Sequence, residues 1–430
     1  MRALLLHSPM LVMLVLLLCT CMDQDSAGRS ASSGNANELL ETSLPNRRIA
    51  IAVDNLSDVE LWDDYLLVLC RSVKPNIRQD FKRYLLLAMP VNCIEQDIGA
   101  LPSRWHYLEI TCEDEIADAC LLSTEDTLTV ALACRDSIVL LDVAATADGL
   151  VAANRRSFDM TCHFDSIMAI DGIPILEGLL LALYDEPNLT ISVVTIPTVA
   201  TSSSPGDGSA LSVQEVGSVV RADARFEPDG NTLTALHRLG PQVCSAAGRV
   251  YIAYPRFSAE GSYCVVVTPA ARPEIDGIEV MTPAINVRSA SQVVYDVSGG
   301  QALTVAYCTS EGVDCLQVLT GSDSESLVMT VPTRVKMGET ILSAVSVSDD
   351  FDYQLLCVYD RAGNRIVPYW RDTRFETPGE WREFKIKSID VGTPAVQNVK
   401  WTKLQAVQVL FYNIAYPEFT LFGTNLQLDN

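Results

Sequence analysis

The side chains able to do chemistry are few and scattered along this sequence. Thirteen cysteines stand out first. Zinc-binding thiolates come in closely spaced pairs, and the chain has no Cys-x-x-Cys and no His-x-x-x-His. Beyond His7 only His106, His163 and His237 remain. Cys162 and His163 are adjacent, and on a strand adjacent side chains leave opposite faces. Asp349, Asp350 and Asp352 are the densest oxygen cluster, yet they lack the turn glycine and distal glutamate of a calcium loop. No metal and no other cofactor is expected. Gly-x-Ser-x-Gly, Gly-x-Gly-x-x-Gly and the Walker loop are all missing, although a Ser/His/Asp triad can assemble from distant segments. Glycoside cleavage needs two carboxylates across a pocket. Glu113, Asp114, Glu115 and Asp118 supply an acidic turn, and Arg221, Arg225, Arg249, Arg256 and Arg288 are basic residues in the middle of the chain. No catalytic residue is assigned. The remaining cluster is Trp370, Arg371, Arg374, Phe375 and Trp381, residue types that dominate interface hot spots. It is the binding face we select from sequence.

The elements that must hold these residues are short. After residue 46 the chain shows apolar runs of four to seven residues separated by Gly, Asp, Asn, Ser and Pro, with little helical spacing. The runs repeat as an apolar strand, a polar turn and a second apolar strand. Such units begin at Tyr65, Asp126, Gly178, Gly248, Gln301, Tyr353 and Gln405. Equivalent positions Ala131, Ala182, Ala253, Ala306, Val358 and Phe411 lie 51, 71, 53, 52 and 53 residues apart. The long interval contains TVATSSSPGDGSALS, a surface insertion expected at 198–213. A period near 50 with about four strands per unit points to an all-β, seven-bladed β-propeller of four-stranded blades over 47–430. Residues 48–53 are placed to complete the last blade. The alternative is two stacked β domains divided at the insertion. Cys308 and Cys315 flank a short turn and are the first disulfide candidates, facing each other across a hairpin; Cys112 with Cys120 is a second pair.

Net charge is −23, from 54 acidic and 31 basic residues. Such a surface repels phosphate backbones, so nucleic acid is not an expected partner. The N-terminus differs from the rest. Arg2 precedes an unbroken apolar run from Leu11 to Leu18, the pattern of an export signal. Leu18-Cys19-Thr20-Cys21 then resembles a bacterial lipobox of the relaxed, spirochaete type. That resemblance implies a signal over 1–21 and lipidation of Cys21, with Cys19 as the other possibility. Residues 22–46 are rich in Ser, Gly, Asn and Asp and read as a flexible tether.

Recurring Trp-Asp pairs, Gly-Gly doublets and Asp-boxes do not mark the blades. The anchor together with the blade count resembles propeller lipoproteins of bacterial envelopes. The resemblance implies a protein exported to the cell envelope and membrane-anchored through lipid. With no catalytic motif found, the leading expectation is a non-enzymatic interaction platform whose partners are envelope proteins, with enzyme activity left open. The competing expectation is a propeller that binds or cleaves carbohydrate at its central channel.

Overall fold

Unbroken apolar runs make sense only for strands covered on both faces, and the computed structural model places them that way. It describes residues 47–72, 83–91, 106–146, 149–197, 211–219, 240–246, 248–257 and 263–271, and beyond these mainly strands as far as residue 427. Residues 1–46, 198–210 and 220–239 lie outside the described residues, among them Cys19, Cys21, His237, Arg221 and Arg225.

Four consecutive antiparallel blades come first along the chain. The first is β1 (Arg47–Trp62), β2 (Tyr65–Ser72), β3 (Arg83–Pro90) and β4 (His106–Thr111). The second is β5 (Ile116–Ser123), β6 (Leu128–Cys134), β7 (Ser137–Thr146) and β8 (Gly149–Asp159). The third is β9 (Ile167–Ile175), β10 (Gly178–Asp185), β11 (Thr190–Pro197) and β12 (Ser212–Ser218), and the fourth is β13 (Gln242–Ala246), β14 (Arg249–Phe257), β15 (Tyr263–Pro269) and β16 (Ile278–Met281). In each, strands pair in chain order, so each sheet is a simple meander.

The apolar units of the sequence are the middle hairpins of these blades: β2–β3, β6–β7, β10–β11 and β14–β15. Their burial follows from the pleat, which sends alternate residues to opposite faces. Along β6, Leu128, Val130, Leu132 and Cys134 join a core shared with the first blade, while Ala131 and Ala133 join a core shared with the third. Along β10, Leu179, Leu181 and Leu183 face the second blade, and Leu180, Ala182 and Tyr184 face the fourth. A blade with two neighbours has no solvent face, so its central strands need no polar alternation. Gly178 opens β10 at φ +155°, where a Cβ would strike the Ile196 carbonyl oxygen.

The C-terminal strands are β17 (Ala284–Val294), β18 (Gln301–Thr309), β19 (Gly312–Thr320), β20 (Leu327–Met329), β21 (Thr333–Met337), β22 (Val345–Asp349), β23 (Tyr353–Asp360), β24 (Arg365–Asp372), β25 (Arg382–Glu383), β26 (Ile389–Asp390), β27 (Val396–Leu404), β28 (Val407–Ile414) and β29 (Thr420–Gln427). They continue the meander pattern in sheets β17–β20, with β21 also on β19, and β22–β25, with β26 also on β24. Strand β1 bridges two sheets. Its first half pairs with β29, Arg48 opposite Phe422, and its second half pairs with β2. The chain is thus an all-β propeller of four-stranded blades, its two ends joined by strand pairing.

Candidate functional site

The first strand of each blade touches the first strand of the next, and carboxylates stitch these junctions. Asp58 on β1 accepts the Leu121 N–H of β5 at 3.0 Å. Asp118 on β5 accepts the Ile170 N–H of β9 at 3.2 Å, and Asp171 on β9 accepts the Val243 N–H of β13 at 2.7 Å. One device thus recurs at three successive junctions. Each strand edge offers an N–H that the sheet does not use, and the preceding blade supplies the acceptor. Asp118, read from sequence as part of an acidic turn, is therefore a structural latch. Glu113, Asp114 and Glu115 stay exposed.

These carboxylates crowd Glu60. Burial first, then the charge of Asp58, push its carboxyl from 4.5 up to about 7; a hydrogen bond from Ser123 works against this and Asp171 adds to it. Oε1 accepts from the Ser123 hydroxyl, and Oε2 is buried without a hydrogen-bond partner. Burial and then Asp171, Asp58, Asp118 and Glu60 together hold the Cys120 thiol well above its ordinary range. No His/Cys/Asp/Glu group arranged for a metal ion occurs among the described residues, and Asp350 and Asp352 lie outside them.

The aromatic cluster selected from sequence falls on β24 and β25. Arg371 is only 2% exposed and its guanidinium sits 4.6 Å from the centre of the Trp381 ring, itself buried. Half-buried Trp370 lies opposite Arg382 in the ladder, and the Arg382 guanidinium covers its ring at 5.6 Å. Arg374 and Phe375 lie outside the described residues. Two interleaved cation–π stacks therefore form, one inside and one outside. Arg371 and Trp381 face each other rather than solvent. The outer surface is carried by Glu380, Arg382 and Glu383, which sequence reading did not single out.

In the β18–β19 ladder Cys308 lies opposite Val313 and Cys315 opposite Ala306, so the two are offset by two positions instead of facing. Cys112 and Cys120 are both free thiols in different surroundings. Cys120 belongs to the core between the second and third blades. Cys112, just after β4, packs against the core between the first and second, where its neighbour is Cys134. These two line a surface cavity of about 530 Å³ together with Thr111, Glu113, Asp114 and Arg155. Cys162 and His163 sit in a turn after β8 and not on a strand. Arg256 is held by the Ser218 carbonyl and the Tyr254 hydroxyl, and Arg249 is exposed in a hairpin.

No helix among the described residues is long and apolar enough to cross a membrane. No protein-family model matches the sequence, and no characterised protein matches it as a sequence relative. Solved structures do. The WD40 domain of Toxoplasma gondii coronin is similar at TM-score 0.51 and 8% identity, over 92% of this chain and 88% of that one. Core factor of S. cerevisiae is similar at TM-score 0.50 and 10% identity, over 92% of this chain and 62% of that one. The polysaccharide lyase Uly1 follows at TM-score 0.46 and 10% identity, covering 95% and 94%. The likeness is to β-propellers. At such identities it speaks for the fold alone, and neither a WD40 domain nor a lyase decides what this chain does.

Proposed function

We propose that this protein is a non-enzymatic interaction platform: a seven-bladed propeller, lipid-anchored at Cys21 in a cell envelope, that presents the β24–β25 edge to another envelope protein. The observation that carries the reading is the Arg382 guanidinium held over Trp370 at the surface, backed by the buried Arg371–Trp381 stack. An arginine already ordered on an aromatic face loses little further freedom on binding, and Arg and Trp are the residues that concentrate interface energy. A blade count of seven is supported by the succession of contacts from β1 through β5, β9, β13, β17, β22 and β27 back to β1.

Glu60 gives the carbohydrate reading its one specific foothold. A carboxyl raised to about 7 by burial and by a neighbouring carboxyl is the pattern of a general acid. Against it, Asp58, Asp118 and Asp171 are each committed to a backbone N–H of the adjoining blade. That leaves Glu60 without a second carboxylate at liberty to act as base or nucleophile.

The test is cross-linking of the protein in its own cells, followed by purification and identification of what is attached. A stoichiometric envelope protein, lost on Arg382→Glu, is the expected result. Glycan in place of protein, with cleavage abolished by Glu60→Gln, overturns the platform reading.

A further inference from the structure

The cavity beside β4 holds a second kind of chemistry that an interaction platform does not require. Arg155 projects from β8 and forks onto the end of β4: Nη1 donates to the Thr111 carbonyl at 3.1 Å, and Nη2 to Cys112 Sγ at 3.3 Å. The Cys112 and Cys134 side chains line the same cavity. Their surroundings differ sharply. Cys112 is half-buried on the connection between two blades, whereas Cys134 is almost fully buried at the end of a central strand. The titratable and charged groups around them are Glu113, Asp114 and Arg155.

That asymmetry sorts the two sulfurs. The hydrogen bond from Cys134 pulls the Cys112 thiol down from 9.0 to about 7; burial opposes this, the charge and hydrogen bond of Arg155 reinforce it, and Asp114 resists it. Donating that bond, and being buried, holds the Cys134 thiol far above its ordinary range. One sulfur is shifted toward the thiolate, receives the Arg155 guanidinium and has access to a cavity. The other is a protonated thiol waiting beside it, the arrangement of an attacking and a resolving cysteine.

We propose that Cys112 and Cys134 form a thiol–disulfide exchange site whose substrate is a small disulfide admitted by the cavity. The Cys112 thiolate attacks one sulfur of the substrate RSSR. The S–S bond breaks, and a first thiolate leaves and takes up a proton. Cys134 then gives its proton to solvent and attacks Cys112 Sγ. The Cys112–SR bond breaks, and the second thiolate leaves to become RSH. Two cysteine thiols are oxidised to one disulfide, and RSSR is reduced to two RSH. Because Cys112 lies on the β4–β5 connection and Cys134 on β6, the new bond ties the link between two blades to the core of the second.

The probe is 2-hydroxyethyl disulfide, neutral and small enough for a cavity of about 530 Å³. The reduced full-length protein is mixed with it at pH 7, quenched with acid and N-ethylmaleimide, and mapped by peptide mass spectrometry. Exposed Cys162 is the internal reference. Lowering a thiol from 9.0 to about 7 raises its thiolate fraction about fiftyfold at pH 7. Reduced nucleophilicity returns part of that, leaving a net advantage of roughly five- to eightfold for Cys112. The expected products are a Cys112–Cys134 disulfide in the wild type and a mixed disulfide on Cys112 in Cys134→Ser. Cys112→Ser, altered on a connection and not in the core, should leave Cys134 unmodified, and Arg155→Met should move the pH midpoint of the reaction upward. Reaction at Cys162 ahead of Cys112, a Cys134 that reacts in Cys112→Ser, or a pH midpoint unmoved by Arg155→Met would each overturn the assignment.

Discussion

Replacing Asp171 by alanine removes the acceptor of the Val243 N–H and leaves that donor at a part-buried blade junction without its carboxylate. The bond is 2.7 Å long and charge-assisted, which places its loss at about 1.5–3 kcal/mol. Some of that is returned, because Asp171 contributes to the repulsion that raises Glu60. We expect a net loss of about 1–2 kcal/mol. With an unfolding entropy near 2.1 cal/mol/K per residue, residues 41–430 melting as one unit have about 0.8 kcal/mol/K, so Tm falls by only about 1–3 °C. Urea unfolding is the better assay: the midpoint should drop at unchanged slope. Asp171→Asn, which keeps an acceptor oxygen, should retain roughly half or more of the lost stability. Asp118→Ala removes the acceptor of the Ile170 N–H, next to Asp171 in the chain, so the two losses should couple and the double variant should depart from their sum. Losses under about 0.5 kcal/mol in both alanine variants would refute the claim that these carboxylates hold the blades together.

Three other outcomes follow from the same structure. Glu60 is raised in the folded state, so the stability it contributes is complete below pH 4.5 and is lost as pH rises through about 7; Glu60→Gln should raise Tm at pH 8 and leave it unchanged at pH 4, as a thermal scan at both values will show. Leu181, fully buried between two blades, should cost about 2–5 kcal/mol when cut to alanine, read from chemical unfolding. Gly178→Ala places a Cβ against the Ile196 carbonyl at positive φ and should cost about 1–3 kcal/mol, with the loss detectable as faster amide exchange along β10–β11.

What the sequence displays is the middle of each blade. Strands such as LTVALAC and GLLLALYD are buried on both faces, so they stand out as unbroken apolar runs whose spacing counts blades. The first strands are harder to read. In IADACLLS and IMAIDGIPI an aspartate interrupts the run, and without the neighbouring blade its carboxylate looks like a turn signal instead of a latch. The fourth strands are hidden for the opposite reason: β8 is exposed along most of its length and carries loop-like polarity. That Cys112 neighbours Cys134 and not Cys120 was not legible at all. Spacing suggests Cys112 with Cys120, but Cys120 points to the core on the far side of its blade, while the crossover from β4 brings Cys112 to Cys134. The Arg–Trp segment was visible as composition; that Arg371 turns inward and Arg382 outward depends on the register of β24 with β25.

The most direct test of the platform reading is a photo-cross-linking amino acid placed at Glu383, on the exposed edge beside Arg382, and in a separate variant at Val151, exposed on β8. In the native cells, a single protein adduct is expected at position 383 that position 151 does not give. Equal adducts at both positions, or none at 383 while a glycan co-purifies, would contradict it.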